Sequence, residues 1–237
     1  MKILTADHLL PISSDPILNG AIAIEGARIV SVGPFADLLR QFPNAEVEQF
    51  GKAAILPGFV NCHSHLELTA LRGALDDVEH DFRSWLLRIN DLRSKMTDAD
   101  IEASAISGAR EGAAAGVTCF GDIGRYGRAG VLALKEVGLR GIVFQETNFS
   151  PDNRTADDDF AELGAKYEQL RKEETHLVRV GLSPHSPYTV GLRLFELIAQ
   201  YSILNRVPLT IHAAESVDEM DLMTRGEGFF TQVYEKF

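Results

Sequence analysis

The feature that most constrains the fold of this chain is a repeating order of apolar strand, helix and apolar strand that begins after residues 57–58, a Pro-Gly pair. Near-continuous apolar strands that alternate with helices are typical of a parallel sheet covered by helices. Two architectures fit this order, a (β/α)8 barrel and a doubly wound sheet. The predicted strands are 59–63, 116–123, 140–147, 178–185 and 208–214, and helices are predicted between them at 97–116, 157–172 and 191–205.

Residues 1–56 follow a different pattern, with short strands around a turn at Glu25-Gly26-Ala27. This pattern predicts part of a small β-sandwich domain. We assign residues 57–237 to a partial (β/α) barrel, because about five βα units can be counted, whereas a closed barrel has eight strands and typically about 250 residues. We therefore expect this chain to be the first part of a longer protein.

Charge and cysteine content exclude several classes of partner and compartment. The formal net charge is -11 and no cluster of Lys and Arg is present, which disfavours a nucleic-acid polymer as partner. The first residues, "MKILTADHLLPISSD", contain no long apolar run, so they predict neither a signal peptide nor a membrane span. Cys62 and Cys119 are the only cysteines, which suits a reducing compartment. We expect a cytoplasmic protein without a membrane partner, and homo-oligomerisation stays open.

Two histidines stand one residue apart at the end of the first predicted barrel strand, in "ILPGFVNCHSHLELTALRG". On a strand, residues i and i+2 project from the same side with Cα atoms about 6.6 Å apart. His63 and His65 can therefore direct two imidazoles at one cation. The carboxyl ends of the strands are also the face at which barrel enzymes assemble their sites. The alternative is two polar residues in a strand-to-loop turn.

The third predicted metal ligand is His212, which ends the fifth predicted strand in "PLTIHAAES". Three histidines form a recurring arrangement for a catalytic zinc-type ion, because they leave one coordination position open. Glu215 would share that side if the strand ends near Ala213 and the chain turns, and we predict it to be a general acid and base. The alternative for Glu215 is a carboxylate at a helix start, which is our interpretation of Asp218 and Glu219.

Two further residues are candidate substrate contacts. His185 lies between two prolines in "SPHSPYT", at the end of the fourth strand, where it could orient a substrate or be an ordinary loop histidine. Trp85, in "DFRSWLLRINDLR", has the helical spacing of a core or covering helix, or it could form an aromatic wall of the substrate pocket. The remaining histidines are predicted to be surface residues: His8, His80 and His176.

Together, "LPGFVNCHSHLELTALRG", "SPHSPYT" and "IHAAES" resemble the amidohydrolase superfamily, in the branch with cytosine deaminase, S-adenosylhomocysteine deaminase and triazine chlorohydrolases. "HSHLEL", "FRSWL" and "HAAES" are most similar to aminodeoxyfutalosine deaminase-like members. The resemblance implies a (β/α)8 barrel with one divalent ion, zinc or iron, at His63, His65 and His212. It also implies that Glu215 shuttles protons and that His185 contacts the substrate. In the family, an Asp after strand eight and a His after strand six complete the site, and these 237 residues contain neither position.

The leading functional hypothesis is hydrolytic deamination of an aminated purine-type or pyrimidine-type heterocycle or nucleoside by a metal-activated water. The same site could instead hydrolyse an amide, a urea-like group or a carbon-halogen bond. Binuclear members usually have a lysine at the end of strand four, and its absence from "VRVGLSPHSP" favours a single ion. A third hypothesis is a non-catalytic module or one that a partner completes. The reading frame beyond Phe237 would separate this hypothesis from the enzyme.

Overall fold

The computed structural model describes residues 1–235, and their contacts divide the chain after Gly58 into two compact units. The first unit is Met1–Gly58 and the second begins at Phe59. The division lies close to the predicted boundary at residue 56. We propose these two units as the two domains.

The first unit contains one mixed five-stranded sheet. In it β1 pairs antiparallel with β2, β2 pairs antiparallel with β3, and β4 and β5 run parallel to β1. Ile3, Ala21, Ala23 and Leu38 form its buried core, so the helix packs on the sheet through Leu38. Within the described residues, the predicted β module therefore consists of one sheet and one helix. The elements are β1 (Lys2–Leu9), β2 (Ile17–Glu25), β3 (Arg28–Pro34), α1 (Phe35–Gln41), β4 (Glu46–Gln49) and β5 (Ala54–Ile55).

The second unit is built on a parallel sheet of four strands in the order β6-β7-β8-β9. Helices follow the strands, and their apolar faces join the strands in one large core that includes Phe120, Leu134, Val180 and Ile198. The predicted α/β class with a parallel sheet is confirmed. The strands are β6 (Phe59–Ser64), β7 (Val117–Gly124), β8 (Arg140–Glu146) and β9 (Val178–Ser183). The helices are α2 (Phe82–Ser94), α3 (Asp98–Ala114), α4 (Gly127–Val137), α5 (Ala156–Arg171), α6 (Leu192–Asn205), α7 (Val217–Arg225) and α8 (Phe229–Tyr234), with a 3-10 helix at Leu66–Leu71.

Helix α3 shows how local sequence sets these boundaries. Thr97 and Asp100 form a reciprocal capping box at its start, which satisfies amide groups that have no partner within the helix. Gly116 follows the helix with φ of 86°, a left-handed conformation that a β-carbon disfavours. The chain then enters β7 directly.

The predicted fifth strand, residues 208–214, is not a regular strand. It forms one isolated bridge, Leu182 with Leu209, whose two backbone hydrogen bonds run from Leu182 N to Pro208 O and from Thr210 N to Leu182 O. Two local features limit the pairing: Pro208 has no amide hydrogen to donate, and Ala214 has φ of 60°, which turns the chain. The segment is nevertheless extended beside β9, so it delivers His212 to the carboxyl end of the sheet.

A membrane-spanning role has no support among the helices of residues 1–235. No helix there combines the length and the apolar composition that a crossing requires.

Candidate metal centre

Three histidines meet at the carboxyl end of the parallel sheet, where the sequence predicts them. His63 and His65 come from the end of β6, and His212 comes from the extended segment beside β9. Their ring centroids lie 4.9 to 5.1 Å apart, and one ligand atom from each lies within 4.8 Å of the others. The three side chains therefore form one cluster that could hold a single ion.

Backbone carbonyls determine which ring nitrogens face the centre of this cluster. His65 Nδ1 lies 2.9 Å from Ile123 O, and His212 Nδ1 lies 3.3 Å from His185 O. A carbonyl oxygen only accepts, so each Nδ1 carries the hydrogen and each Nε2 keeps a lone pair. The two Nε2 atoms face each other at 3.1 Å.

Two facing lone pairs repel unless a cation lies between them, so the residues fit a metal ion. A ring whose other nitrogen donates to a carbonyl is the usual state of a metal-binding histidine. Burial, followed by the neighbouring His212 and His63, lowers the pKa of His65 to about 4, and burial also lowers the pKa of His212. Neutral imidazoles are the form that binds metal.

Asp122, near the end of β7, holds the residues on both sides of His65. Its Oδ1 accepts hydrogen bonds from Ser64 Oγ at 3.1 Å and from the Leu66 amide at 2.8 Å. The β6-β7 register is irregular at this point, so this side chain replaces regular ladder bonds. Asp122 is buried, and burial raises its pKa to about 7. Its role was not predicted, because its partners lie 56 and 58 residues earlier in the chain.

Glu215 lies just beyond the turn that the sequence predicts, which the structure places at Ala214 with φ of 60°. The carboxylate is exposed, and Tyr188 donates to its Oε2 at 2.6 Å. Tyr188 itself is buried, at 1% exposure. One oxygen of Glu215 therefore has a fixed donor, and the other can act on a ligand.

Glu219 has a larger role than the helix-start carboxylate that the sequence predicts. It does lie in the first turn of α7, but it is buried and accepts hydrogen bonds from the amides of Ala214 and Glu215, at 2.9 and 2.7 Å. It therefore holds the backbone of the loop that carries Glu215. Asp218, in the same turn, pairs with Arg83 of α2.

His185 lies beside the cluster, with its ring centroid 5.0 Å from that of His212. Its backbone has φ of 33°, which is rare for a residue with a side chain. Its Nδ1 is within hydrogen-bond distance of the hydroxyls of Ser186 and Thr189, at 2.8 and 2.7 Å. Burial, followed by His212, lowers its pKa to about 3. The remaining ring nitrogen, Nε2, lies 3.9 Å from Glu146 Oε1.

Two buried carboxylates, each paired with an arginine, lie near this part of the site, and the sequence predicts neither pair. Glu146, at the end of β8, lies 3.5 Å from Arg125 Nε, and Glu67, in the 3-10 helix, lies 3.6 Å from Arg93 of α2. Burial raises the pKa of Glu146 to about 7 and also raises that of Glu67. The sequence feature that could have indicated Glu146 is its position at the end of a predicted strand.

Trp85 is half-buried on α2 and stacks on Phe82, with ring centroids 5.8 Å apart. It lines a cavity of about 390 Å³ whose wall also includes His65. The structure therefore brings Trp85 to a space beside the histidine cluster. The three histidines that were predicted to be surface residues are exposed: His8, His80 and His176.

Comparison with known families identifies the second unit. The model of the amidohydrolase family matches residues 54–236. This chain belongs to the amidohydrolase family. Residues 20–45 also match the imidazolonepropionase-like composite domain of bacteria. Family membership confirms the resemblance that the histidine motifs indicate.

Two curated relatives match nearly the whole chain. The 5-methylthioadenosine/S-adenosylhomocysteine deaminase of Thermodesulfovibrio yellowstonii is 28% identical over 95% of this chain and 52% of its own length. The aminodeoxyfutalosine deaminase of Deinococcus radiodurans is 31% identical over 96% of this chain and 52% of its own length. The chain thus spans about half the length of these amidohydrolase relatives.

Two solved structures share the fold. The aminofutalosine deaminase of Helicobacter pylori, in complex with methylthio-coformycin, superposes with a TM-score of 0.88 at 21% identity, over 100% of this chain and 57% of its own. The atrazine chlorohydrolase of Arthrobacter aurescens, complexed with zinc, superposes with a TM-score of 0.78 at 20% identity, over 100% of this chain and 58% of its own. Together with family membership, these matches assign the sheet β6-β9 to a TIM-type barrel and not to a doubly wound sheet.

Proposed function

We propose that His63, His65 and His212 hold one divalent ion and that the protein hydrolytically deaminates an aminated purine-type or pyrimidine-type heterocycle or nucleoside. The observation that carries this proposal is the pair of Nε2 atoms on His65 and His212 that face each other at 3.1 Å. Three imidazoles that converge on one point leave a coordination position open, as a catalytic ion requires.

The chemistry divides between the ion and the side chains of this chain. When bound, a zinc-type ion acts as a Lewis acid and brings the pKa of a water molecule near neutrality. Glu215 accepts a proton from the attacking water and donates one to the ring nitrogen beside the amino-bearing carbon. Tyr188, hydrogen bonded to Oε2, leaves Oε1 free for these transfers. The water oxygen forms a bond to the amino-bearing carbon, and its second proton passes to the amino group. The carbon-nitrogen bond then breaks, ammonia leaves, and the oxygen remains on the ring as a carbonyl.

His185 and Trp85 are proposed as substrate contacts. His185 borders the cluster, and Trp85 lines the cavity beside His65. An indole face can stack on a planar heterocycle, which supports a substrate of that class.

The names of the curated relatives favour deamination over the other hydrolytic reactions. Both are deaminases by name, and the name of the first gives adenosine compounds as its substrates, whereas the chlorohydrolase is related at the level of fold. Zinc in that chlorohydrolase supports zinc over iron, although histidine nitrogen suits both metals. The absence of lysine from β9 (Val178–Ser183) supports a single ion. A non-catalytic or partner-completed module is not favoured, because the histidine donors converge.

Three further properties are kept as proposals. The substrate is a small heterocyclic molecule, consistent with the relatives. The protein acts in the cytoplasm, in keeping with its two cysteines. A homo-oligomer is compatible with the sequence.

The decisive experiment combines elemental analysis with an ammonia assay. Adenosine-type, guanine-type and triazine compounds are offered to the zinc-loaded full-length protein, and we expect ammonia release from one class. Glu215→Gln should reduce the release at least about 100-fold, because a general acid and base contributes that much, while zinc content stays at one per chain. Glu227→Gln, at an exposed acid beyond α7, is the matched control.

Two outcomes would contradict the proposal. Full turnover by Glu215→Gln would remove Glu215 from the chemistry. A stoichiometry of two ions per chain would replace the single-ion site.

A further inference from the structure

Helix α2 borders two cavities that adjoin the histidine cluster. Trp85 lines the cavity of about 390 Å³ whose wall includes His65. Leu86 and Asn90 line another cavity, of about 260 Å³, whose wall includes His185. A ligand that occupies either cavity therefore lies against this helix.

The first half of α2 is held less firmly than the second half. Of the 13 residues of this helix, all of them described, only Ile89 is fully buried. Arg93, near the end of the helix, lies 3.6 Å from the buried Glu67. Residues 82–88, which the structure describes in full, contain no fully buried side chain. Regions with few buried apolar contacts are the first to open in a folded protein.

The segment before α2 connects the helix to the 3-10 helix through local turns. Residues 73–81 form turns and bends, and none of these described residues is fully buried. The amides of this segment that donate to backbone carbonyls do so to residues three positions back. Arg72, just before the segment, pairs with Glu111 of α3 at 2.7 Å, and Gly73 follows with φ of 77°. Gly73 can therefore serve as a hinge next to an anchored residue.

Arg83, in the first turn of α2, joins this half of the helix to the other side of the site. It donates to both oxygens of Asp218 in α7, from Nε at 2.8 Å and from Nη2 at 2.5 Å. Its Cζ also lies 4.8 Å from the ring centroid of Phe229 in α8. The planar fork of a guanidinium matches a carboxylate with two parallel hydrogen bonds, and an aromatic face attracts the same cation. One side chain thus holds the first half of α2 against two other helices.

The same half of α2 contacts the groups that position Glu215. Asp218 directly precedes Glu219, whose carboxylate holds the backbone of the loop. Phe82 packs edge-to-face on Tyr188, with ring centroids 6.1 Å apart, and Tyr188 donates to Glu215. The observed position of α2 is therefore tied to both groups that hold the proposed proton carrier.

We propose that residues 73–88 form a lid over the histidine cluster and that Arg83 is a positioning residue, which latches the lid to Asp218 and Phe229. Opening admits a ligand, and closure brings Trp85 against it. The proposal rests on the proposed function only in taking the histidine cluster as the site that the lid covers. The latch acts equally on the free and the ligand-bound closed state. A weaker latch should therefore speed entry and release alike and leave the equilibrium affinity nearly unchanged.

The first experiment needs neither ligand nor turnover. Hydrogen–deuterium exchange with mass spectrometry follows the amides of residues 73–88 in the zinc-loaded full-length protein. Arg83→Gln should increase their exchange about 5-fold, the effect of one well-aligned surface ion pair, while α3 exchanges as before. Arg88→Gln, at an exposed arginine of the same helix, is the matched control and should exchange like the wild type. Unchanged exchange of the lid in Arg83→Gln, or equally faster exchange in α3, would contradict the latch.

The second experiment tests the pair from its other side and keeps the test valid if Arg83→Gln folds poorly. Asp218→Asn should speed exchange of the lid about as much as Arg83→Gln does. The double variant should exchange no faster than either single variant, because all three lack the same contact. Arg83→Lys should retain part of the protection, since an ammonium group keeps the charge but not the fork. Effects that multiply in the double variant would show that the two residues act separately, which would overturn the latch.

The third experiment measures ligand exchange with 2-aminopurine riboside, a fluorescent purine nucleoside. Stopped-flow displacement gives its dissociation rate, and equilibrium titration gives Kd. In Arg83→Gln we expect dissociation to be about 5-fold faster and Kd to change by less than about 2-fold, since association accelerates equally. A weaker Kd at an unchanged dissociation rate would overturn the lid. Failure of the wild-type protein to bind this probe would contradict a purine-type substrate, whereas the exchange experiment decides on the lid independently.

Discussion

The two sides of the histidine cluster are built differently. His63 lies in β6 and His65 directly follows it. Strand β6 pairs with β7, and the buried Asp122 adds two hydrogen bonds at the point where the register breaks. His212 lies in a segment with a single bridge to β9. Beyond it, the loop is held by Glu219 and by the Tyr188–Glu215 contact. Strand pairing together with the Asp122 carboxylate thus positions one side of the site, whereas the other side depends on the side-chain hydrogen bonds of its loop.

This difference separates two tasks. The first side presents metal-binding histidines at the end of a paired strand, held there by Asp122, and such ligands need little adjustment. The loop side carries both a donor and the proposed proton carrier, which must approach a substrate. We therefore expect substitutions beside His63 and His65 to change mainly the zinc affinity. Substitutions in the loop of Glu215 should change mainly the free energy of unfolding or kcat.

The largest effect should come from His65→Ala. The variant removes one of two facing Nε2 donors, so we expect zinc affinity to fall by more than about 100-fold, beyond the loss typical of an outer-shell change. Competition with a chromogenic chelator measures it. His80→Ala, at an exposed histidine, is the control, and unchanged affinity in His65→Ala would end the assignment of the cluster.

Asp122→Asn tests the side of the site formed by His63 and His65 without changing a metal ligand. The amide keeps the shape but accepts more weakly from Ser64 and Leu66, so His63 and His65 lose part of their support. We expect zinc affinity to fall about 10-fold to 100-fold, as for other residues that orient metal ligands. Cobalt substitution adds a visible spectrum that reports the coordination geometry. A variant that unfolds more easily but binds zinc normally would show a purely structural role.

Glu219→Gln tests the loop side. The buried carboxylate accepts two backbone amides, and its amide analogue can satisfy only one with its single oxygen. We expect the free energy of unfolding to fall by about 2 kcal/mol, as for hydrogen bonds to a charged group, and zinc affinity to change less than in Asp122→Asn. Urea denaturation measures the first quantity. A larger loss of zinc affinity in Glu219→Gln than in Asp122→Asn would contradict the distinction between the two sides.

Tyr188→Phe should give the smallest effect. The ring stays stacked on Phe230, with centroids 4.3 Å apart, and only the hydroxyl that holds Glu215 is lost. We expect kcat to fall about 10-fold through one lost charge-assisted hydrogen bond, with KM and zinc content unchanged. If KM rises while kcat stays constant, Tyr188 contacts the substrate instead of positioning Glu215.

The sequence predicts the metal-binding histidines of this site better than the residues that hold those histidines in position. His63, His65 and His212 could be found because the carboxyl ends of parallel strands meet on one side of a sheet, so strand position alone indicates proximity. The turn that brings Glu215 around was predicted near Ala213 and occurs at Ala214. The membership of the family then follows from the same motifs.

The residues that position the site, Asp122 and Glu219, could not be predicted, because their hydrogen-bond partners are remote in sequence or depend on loop geometry. Periodicity indicates which side of β7 Asp122 occupies, but not that Ser64 lies opposite it. The position of Glu219 in the first turn of α7 gave no sign that its side chain folds back to two amides of the preceding loop. The predicted strand at 208–214 failed for a similar reason, since apolar composition does not report whether Pro208 can join a ladder.

The single bridge at Leu209 affects which part of the sheet unfolds locally first. An ion held by His65 and His212 would link residues that are 147 positions apart in the chain. It would therefore act on the unfolded chain as a long covalent cross-link does, by restricting its conformational freedom. Among residues 209–212 only the Thr210 amide donates to β9, so without the ion this segment should be the first part of the sheet to exchange its hydrogens with solvent.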